Sequence, residues 1–196
     1  MLYNIEGRTI IYCPYKNYST SLTDYYCNRF GDTLFKHRWQ KYIGKAIEYN
    51  YVENVELNFH STPPRDTAYF QSFTKFLPVR NPYERVPSQY HWSCKQEGYL
   101  PFDYWLRTKS KDPRLMPVSK IFGDCLGYDY VIQVENIVEG LREYNLVLKD
   151  KDGKEIEFPK SNVTKDRKDK VILTPFQKDF IYYLHYEDFK IGGYDR

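Results

Sequence analysis

The run KNYSTS (16–21) sets Lys16 close to the hydroxyls of Ser19, Thr20 and Ser21, with Asn17 and Tyr18 between them. A lysine point charge and hydroxyls around free N–H groups at a helix start are what cradles a phosphate group. Further on, the run VRNPYERVPSQY (79–90) carries Arg80 and Ser88. An arginine fork with a serine hydroxyl suits a phosphate monoester. His60 lies between the two runs, and its ordinary pKa near ~6.5 fits proton abstraction at neutral pH. Glu135 is the second candidate for that base. Two anion sites and a base are the chemistry that these residue types allow. Against them stand plainer roles: a capped helix start for the first run, a surface Arg80–Glu84 pair for the second and a loop hydrogen bond for His60.

These residues gain meaning only if the elements around them converge. RTIIYC (8–13) is a short β-branched run that predicts a buried strand ending at Pro14, with Ser19 as N-cap of the helix that follows. Residues 33–48 have helical spacing, and VENVELNF (52–59) alternates as a strand does, with His60 at its end. FTKFLPV (73–79) predicts a second buried strand. Asn81 as N-cap, Pro82 at the first helical position and Glu84 at the third predict a capping-box helix start after it, and Pro87 inside that helix predicts a kink. Residues 101–108, 117–127 and 136–146 read as short helices, YDYVIQV (128–134) as a third apolar strand ending at Glu135, and 174–189 as one C-terminal amphipathic helix. An Asp-Gly pair at 152–153 marks a small hairpin. Strands alternating with helices predict an α/β fold: three layers, a central parallel sheet with flanking helices, in a single domain over residues 1–196. In such a sheet, ligands sit beyond the carboxyl ends of the strands, which is where Lys16, Arg80, His60 and Glu135 fall.

Composition narrows the partners. The chain has 196 residues with 29 Lys+Arg against 26 Asp+Glu, a net charge of +3. That surplus is too small for a broad polyanion footprint, so nucleic acid is not expected, and an anion must be met by a few placed cations. Aromatic residues make up 18% of the chain, far more than in chains that stay disordered. No stretch approaches the roughly 18 consecutive apolar residues of a membrane span, and no charged-then-apolar leader opens the sequence, so it reads as soluble and cytoplasmic. Cys13, Cys27, Cys94 and Cys125 are widely spaced, with no CxxC pair and no histidine at ligand spacing. They read as reduced, buried thiols, and no metal site is expected. The sequons at Asn17 and Asn162 read as chance.

Taken together, the two anion runs resemble the sulfotransferases that use 3′-phosphoadenosine 5′-phosphosulfate (PAPS). Lys-x-x-Ser-Thr-Ser is similar to that family's 5′-phosphosulfate loop, and Arg-x-Pro-x-x-Arg-x-x-Ser-x-Tyr, residues 80–90, to its 3′-phosphate motif. The likeness extends to the carbohydrate branch with the chondroitin and heparan sulfate enzymes, through FTKFLPVRNPYERVPSQY, YDYVIQVENIVEGL and YEDFKIGGY in the same order. The chain departs from the family pattern at Tyr15 and Tyr18, where a proline before the lysine and a small residue after it are usual, and at Pro87. It shows no membrane anchor or stem and looks like a minimal catalytic domain. The resemblance implies a P-loop-like sulfotransferase fold and metal-free transfer of a sulfuryl group from PAPS to an acceptor hydroxyl, that of a glycan. In it Lys16 meets the leaving-group charge; Asn17, Tyr18, Ser19, Thr20 and Ser21 hold the 5′-phosphosulfate; Arg80 and Ser88 hold the 3′-phosphate; and His60, or Glu135, is the base. The basic loop 161–168 resembles a late family segment near the donor's 3′ side, and Arg65, Tyr69 and other tyrosines are candidate acceptor-lining groups.

Two other readings of the residues stay open. A nucleotide or small-molecule kinase would use the end of YVIQVE to hold Mg²⁺, but GxxxxGK[ST] is missing, since no glycine lies between Gly7 and Gly31. An inactive domain would bind the donor without turnover.

Overall fold

The computed structural model describes residues 2–4, 7–14, 16–28, 39–41, 71–112, 114–123, 127–150, 152–159 and 171–196. Strands β1 (Leu2–Asn4), β2 (Thr9–Ile11), β3 (Trp39–Lys41), β4 (Thr74–Val79) and β5 (Tyr130–Gln133) form one sheet in the order β3-β1-β2-β4-β5. β2, β4 and β5 run parallel, with Ile11 opposite Phe76 and Val79 opposite Gln133. β1 runs antiparallel to both β2 and β3. The fold is therefore α/β, and among the described residues the expected parallel sheet is three strands wide with an antiparallel two-strand extension. Residues 39–41 correct the expected 33–48 helix: their backbone pairs with β1 instead, tertiary pairing overriding local helical spacing. The rest of that span, and the expected strand at 52–59, lie outside the described residues.

The parallel strands are continuous apolar runs because both faces are covered. Ile11, Cys13, Phe76 and Ile132 point to one face, under Leu22, Tyr25 and Tyr26 and under Ile137 and Leu141. The first three come from α1 (Ser19–Thr23) and the π-helical stretch Asp24–Asn28 that continues it; the last two belong to α5 (Ile137–Glu143). α5 lies so close to β5 that a Cβ on Gly140 would come within 2.5 Å of Ile132 Cγ2. Ile10, Tyr12, Leu77, Val79 and Val131 point to the other face, against Val118 of α4 (Val118–Gly123) and Ile191 of α7 (Tyr186–Gly192). A further, helical core joins Val86 and Tyr90 of α2 (Pro82–Glu97), Trp105 and Leu106 of α3 (Phe102–Lys109), Ile181 of α6 (Pro175–Leu184) and Phe189 of α7. The expected hairpin is reduced to one bridge, Lys149 with Glu155, around the Asp152-Gly153 turn. The expected single C-terminal helix is two, because His185 leaves helical geometry at φ −115°, ψ 23°.

That break sits on a buried charged cluster. Asp188 Oδ2 accepts from the Val118 amide at 2.9 Å, and Oδ1 accepts from the Ser119 amide at 2.9 Å and its hydroxyl at 2.6 Å. Arg85 donates to the carbonyls of Arg114 at 3.1 Å and Met116 at 3.0 Å and lies 3.7 Å from Asp188. His185 Nδ1 is 3.5 Å from the same carboxylate, too far for a well-made hydrogen bond but close enough for charge coupling. Arg85, His185 and Asp188 are all buried. Together they fasten α7 to α4 and α2.

Burial pushes the His185 imidazole below its ordinary 6.5, with Asp188 opposing the shift and Arg85 adding to it. The unfolded chain then takes up the proton first, so stability held above about pH 6.5 is lost as pH falls below that value. Burial alone would raise the Asp188 carboxyl, but the interaction with His185 at 3.5 Å, the Arg85 charge and the Ser119 hydrogen bond outweigh it and hold it below 3.8. Its contribution is present above that value and lost as pH falls further. Thermal unfolding followed from pH 8 to pH 3 is expected to show both losses, and His185→Gln to lack the first; an unchanged profile in that variant refutes the assignment. Asp188→Ala is expected to cost about 3–5 kcal/mol at neutral pH in denaturant titration, because it strands a buried arginine.

Candidate functional site

The first loop is shaped by a missing donor. The Tyr12 amide bonds the Phe76 carbonyl at 3.0 Å, continuing the β2–β4 ladder. Two residues on, the same row would place an N–H of residue 14 on the Pro78 carbonyl, but residue 14 is proline and has none. The Asn17 carboxamide supplies the donor instead, Nδ2 to Pro78 O at 2.8 Å. Asn17 is 0% exposed, so its side chain holds the loop against β4 and is closed to glycosylation. Lys16 and Tyr18 both take left-handed backbone, φ 61° and 57°, at a cost of roughly 1–2 kcal/mol each for a side chain with a Cβ. Ser19, expected as the N-cap, is the first residue of α1; Tyr18 occupies the cap position without a side-chain hydrogen bond. Ser19 and Ser21 are buried, Lys16 is half-buried and Thr20 is exposed.

Arg80 leaves the end of β4 and reaches this loop. It donates from Nη1 to the Lys16 carbonyl at 3.3 Å, and its Nη2 lies 3.7 Å from Glu84. Its side chain keeps 18% of its surface exposed. Asn81 caps α2 by accepting from the Tyr83 amide at 2.9 Å, with Pro82 first in the helix, as the sequence predicts. The reciprocal half of the expected box is replaced: the Asn81 amide donates to Glu135 Oε1 at 2.9 Å, while Glu84 faces Arg80. Helix α2 runs on through Pro87 to Glu97. Ser88 is buried within it, one turn beyond Glu84 on the same side. Arg85, the second arginine of the motif, belongs to the Asp188 cluster.

Glu135 follows β5 and brings the third strand end to the same place. Its Oε2 accepts from the Tyr194 hydroxyl at 2.6 Å, and the Val79 carbonyl lies 2.8 Å from that hydroxyl. Burial first and the Glu135 carboxylate next push the Tyr194 phenol well above its ordinary value, so it stays a donor. The carboxyl edge of the parallel strands thus gathers Lys16, Arg80, Glu84, Glu135 and Tyr194. His60, Arg65, Tyr69 and the basic loop 161–168 lie outside the described residues. His91 is half-buried beside the Tyr90 ring, 5.4 Å between centroids. Among the described residues no group of three or more His, Cys, Asp or Glu is arranged to hold a metal ion. At the opposite, amino edge lies an open hollow of about 350 Å³ lined by Ser72, Lys75 and Asp129; Lys75 is committed there to the carbonyls of Gln71 and Phe73 at 3.0 and 2.7 Å. Asn17 as the replacement ladder donor, Tyr194 and the cross-sheet use of Glu135 were beyond the sequence reading, although Pro14 beside a strand signals an unpaired carbonyl opposite.

Fold and edge together define an α/β protein with two cationic groups and one carboxylate at the ends of three parallel strands. In comparisons with known proteins, no family model, no curated protein and no solved structure matches the chain. No helix among the described residues is long and apolar enough to cross a membrane.

Because Asn17 replaces a ladder donor, Asn17→Ala is expected to cost about 1–3 kcal/mol by leaving a buried carbonyl without its partner. The exposed Thr20→Ala should stay within about 0.5 kcal/mol of wild type in the same urea titration. Equal midpoints for the two variants would refute the role given to Asn17.

Proposed function

We propose that the chain is a PAPS-dependent sulfotransferase with a P-loop-like, three-layer fold, acting on a hydroxyl of a carbohydrate acceptor. The observation that carries this reading is the contact between Arg80 and the Lys16 carbonyl. The two runs whose residue types suit two different phosphates, 64 positions apart, meet at adjacent parallel strand ends. The ordered resemblance of residues 16–21, 73–90, 128–141 and 186–194 to the family supports it independently of that contact.

In this reading the acceptor oxygen attacks the sulfur in line, a new S–O bond forms, and the bond from sulfur to the 5′-phosphate oxygen breaks. Lys16 neutralises charge gathering on that oxygen, and residues 17–21 orient the phosphosulfate through the loop backbone and hydroxyls. Arg80 and Ser88 take the 3′-phosphate, with the phosphate displacing Glu84 as the partner of the guanidinium. The acceptor proton passes to a base. Glu135 already receives hydrogen bonds on both oxygens, from Asn81 and Tyr194, which favours His60 for that step.

Thermal shift with adenosine 3′,5′-bisphosphate, with and without Mg²⁺, and with ATP tests the reading. Metal-independent stabilisation by the bisphosphate is expected, since a ligand bound only by the native state raises its stability by mass action. Arg80→Ala should abolish most of that shift. His60→Ala should spare it and lower turnover about 10²–10⁴-fold. Preference for ATP with Mg²⁺ would favour a kinase instead, and bisphosphate binding without turnover an inactive donor-binding domain.

A further inference from the structure

The C-terminal run KIGGY (190–194) is built to deliver one hydroxyl. The Gly192 carbonyl accepts from Gln133 Nε2 at 2.6 Å, which ties the run to the end of β5. A Cβ on Gly192 would collide with the Tyr194 ring, so glycine is what lets the ring fold back on its own helix end. Gly193, at φ 63°, makes the turn that aims the ring at the sheet, a conformation that costs glycine little. The hydroxyl then reaches Glu135 at 2.6 Å, and Glu135 reaches the Asn81 amide at 2.9 Å. Asn81 is joined directly to Arg80 and caps the helix that carries Glu84 and Ser88. Without the Tyr194 donor, Glu135 would be an exposed carboxylate held by the Asn81 amide alone, with a choice of rotamers.

We propose that Tyr194 is a positioning residue for the 3′-phosphate site: it fixes the Glu135 carboxylate on the Asn81 amide, and so holds the first turn of α2, next to Arg80, in place. The inference rests on the sulfotransferase reading and adds to it a specific consequence, control of the 3′-phosphate and not of the rest of the nucleotide. Tyr194 touches neither donor nor acceptor in this scheme. Its effect passes through a hydrogen-bond relay from the chain's last turn to the strand end.

Tyr194→Phe is the discriminating variant, because it keeps the ring in its place over Gly192 and removes the hydroxyl alone. Calorimetric titration of the full chain with adenosine 3′,5′-bisphosphate and with adenosine 5′-monophosphate reads the two ends of the donor separately. Wild type is expected to prefer the bisphosphate. Tyr194→Phe should weaken bisphosphate binding by about tenfold, the scale of one hydrogen bond to a charged group, and leave monophosphate binding unchanged. Glu135→Ala should reproduce that loss, and Glu135→Gln, which keeps an oxygen for the Asn81 amide, should recover most of it. If wild type prefers the bisphosphate and Tyr194→Phe keeps the full preference, or loses both ligands equally, the positioning role is overturned while the donor reading stands. If wild type itself shows no preference, the donor reading fails and the relay's function with it.

Discussion

Four consecutive residues at the carboxyl end of β4 must find partners beyond the sheet ladder, and each recruits a different part of the chain. The Pro78 carbonyl takes the Asn17 carboxamide, and the Val79 carbonyl lies against the Tyr194 hydroxyl. The Arg80 guanidinium takes the Lys16 carbonyl, and the Asn81 amide takes Glu135. Buried backbone groups left without partners are costly, so satisfying this one strand end brings the first loop, the end of β5 and the last turn of the chain together. The polar edge is in that sense a by-product of backbone bookkeeping, and the same constraint that closes the fold there assembles the residues that carry chemistry.

The edge is held from beneath by the second polar device, the Asp188 cluster. Asp188 bonds the first amides of α4 and lies against Arg85 of α2. It belongs to α7, the helix whose end carries Tyr194. Helix α2 is therefore fixed at two places, by Asn81 at its start and by Arg85 one turn on, and both attachments lead to the same C-terminal segment. A shift of α7 would move both, which couples the packing of the last helix to the placing of Arg80 and Ser88. Buried charge of this kind contributes little net stability compared with apolar packing, but breaking it is expensive, which makes the geometry of α2 hard to change by small steps.

How much of this was legible follows from how local each signal is. β4 and β5 were readable because continuous apolar runs of that length need cover on both faces, and the start of α2 because Asn81-Pro82 encodes its own cap. β1 and β3 carry three residues each, as β2 does, but lack its β-branched apolar run; their pairing is decided by a neighbouring strand, which no window of sequence contains. The cap at Asn81 shows the boundary within a single motif. Its side-chain half depends on residues two apart and was read correctly, whereas its backbone half went to Glu135, 54 residues away, in place of Glu84. Lys16 and Arg80 were assigned to two converging anion sites on residue type and strand position, and their contact follows from β2 and β4 being adjacent. Tyr194 gave no such signal, because a tyrosine near a chain end has no spacing to betray its partner.

The abundance of tyrosine, 21 of 196 residues, has a structural use that the apolar count hides. Tyr12 donates to Gly127 O at 2.8 Å, Tyr25 to Ile156 O at 3.2 Å, Tyr26 to Leu146 O at 2.7 Å and Tyr90 to Leu100 O at 2.7 Å. Every one of those carbonyls belongs to a segment outside the helices and strands, where no ladder supplies a donor. A phenylalanine would fill the same core volume and leave the carbonyl unpaired. Where the described strands are only three to six residues long, much of the described backbone runs through such segments, and a buried ring with a donor at its tip meets both demands at once. Tyr194 departs from that rule: the Val79 carbonyl it lies against ends strand β4, and its hydroxyl also meets a carboxylate, which turns a structural tie into a link with the polar edge.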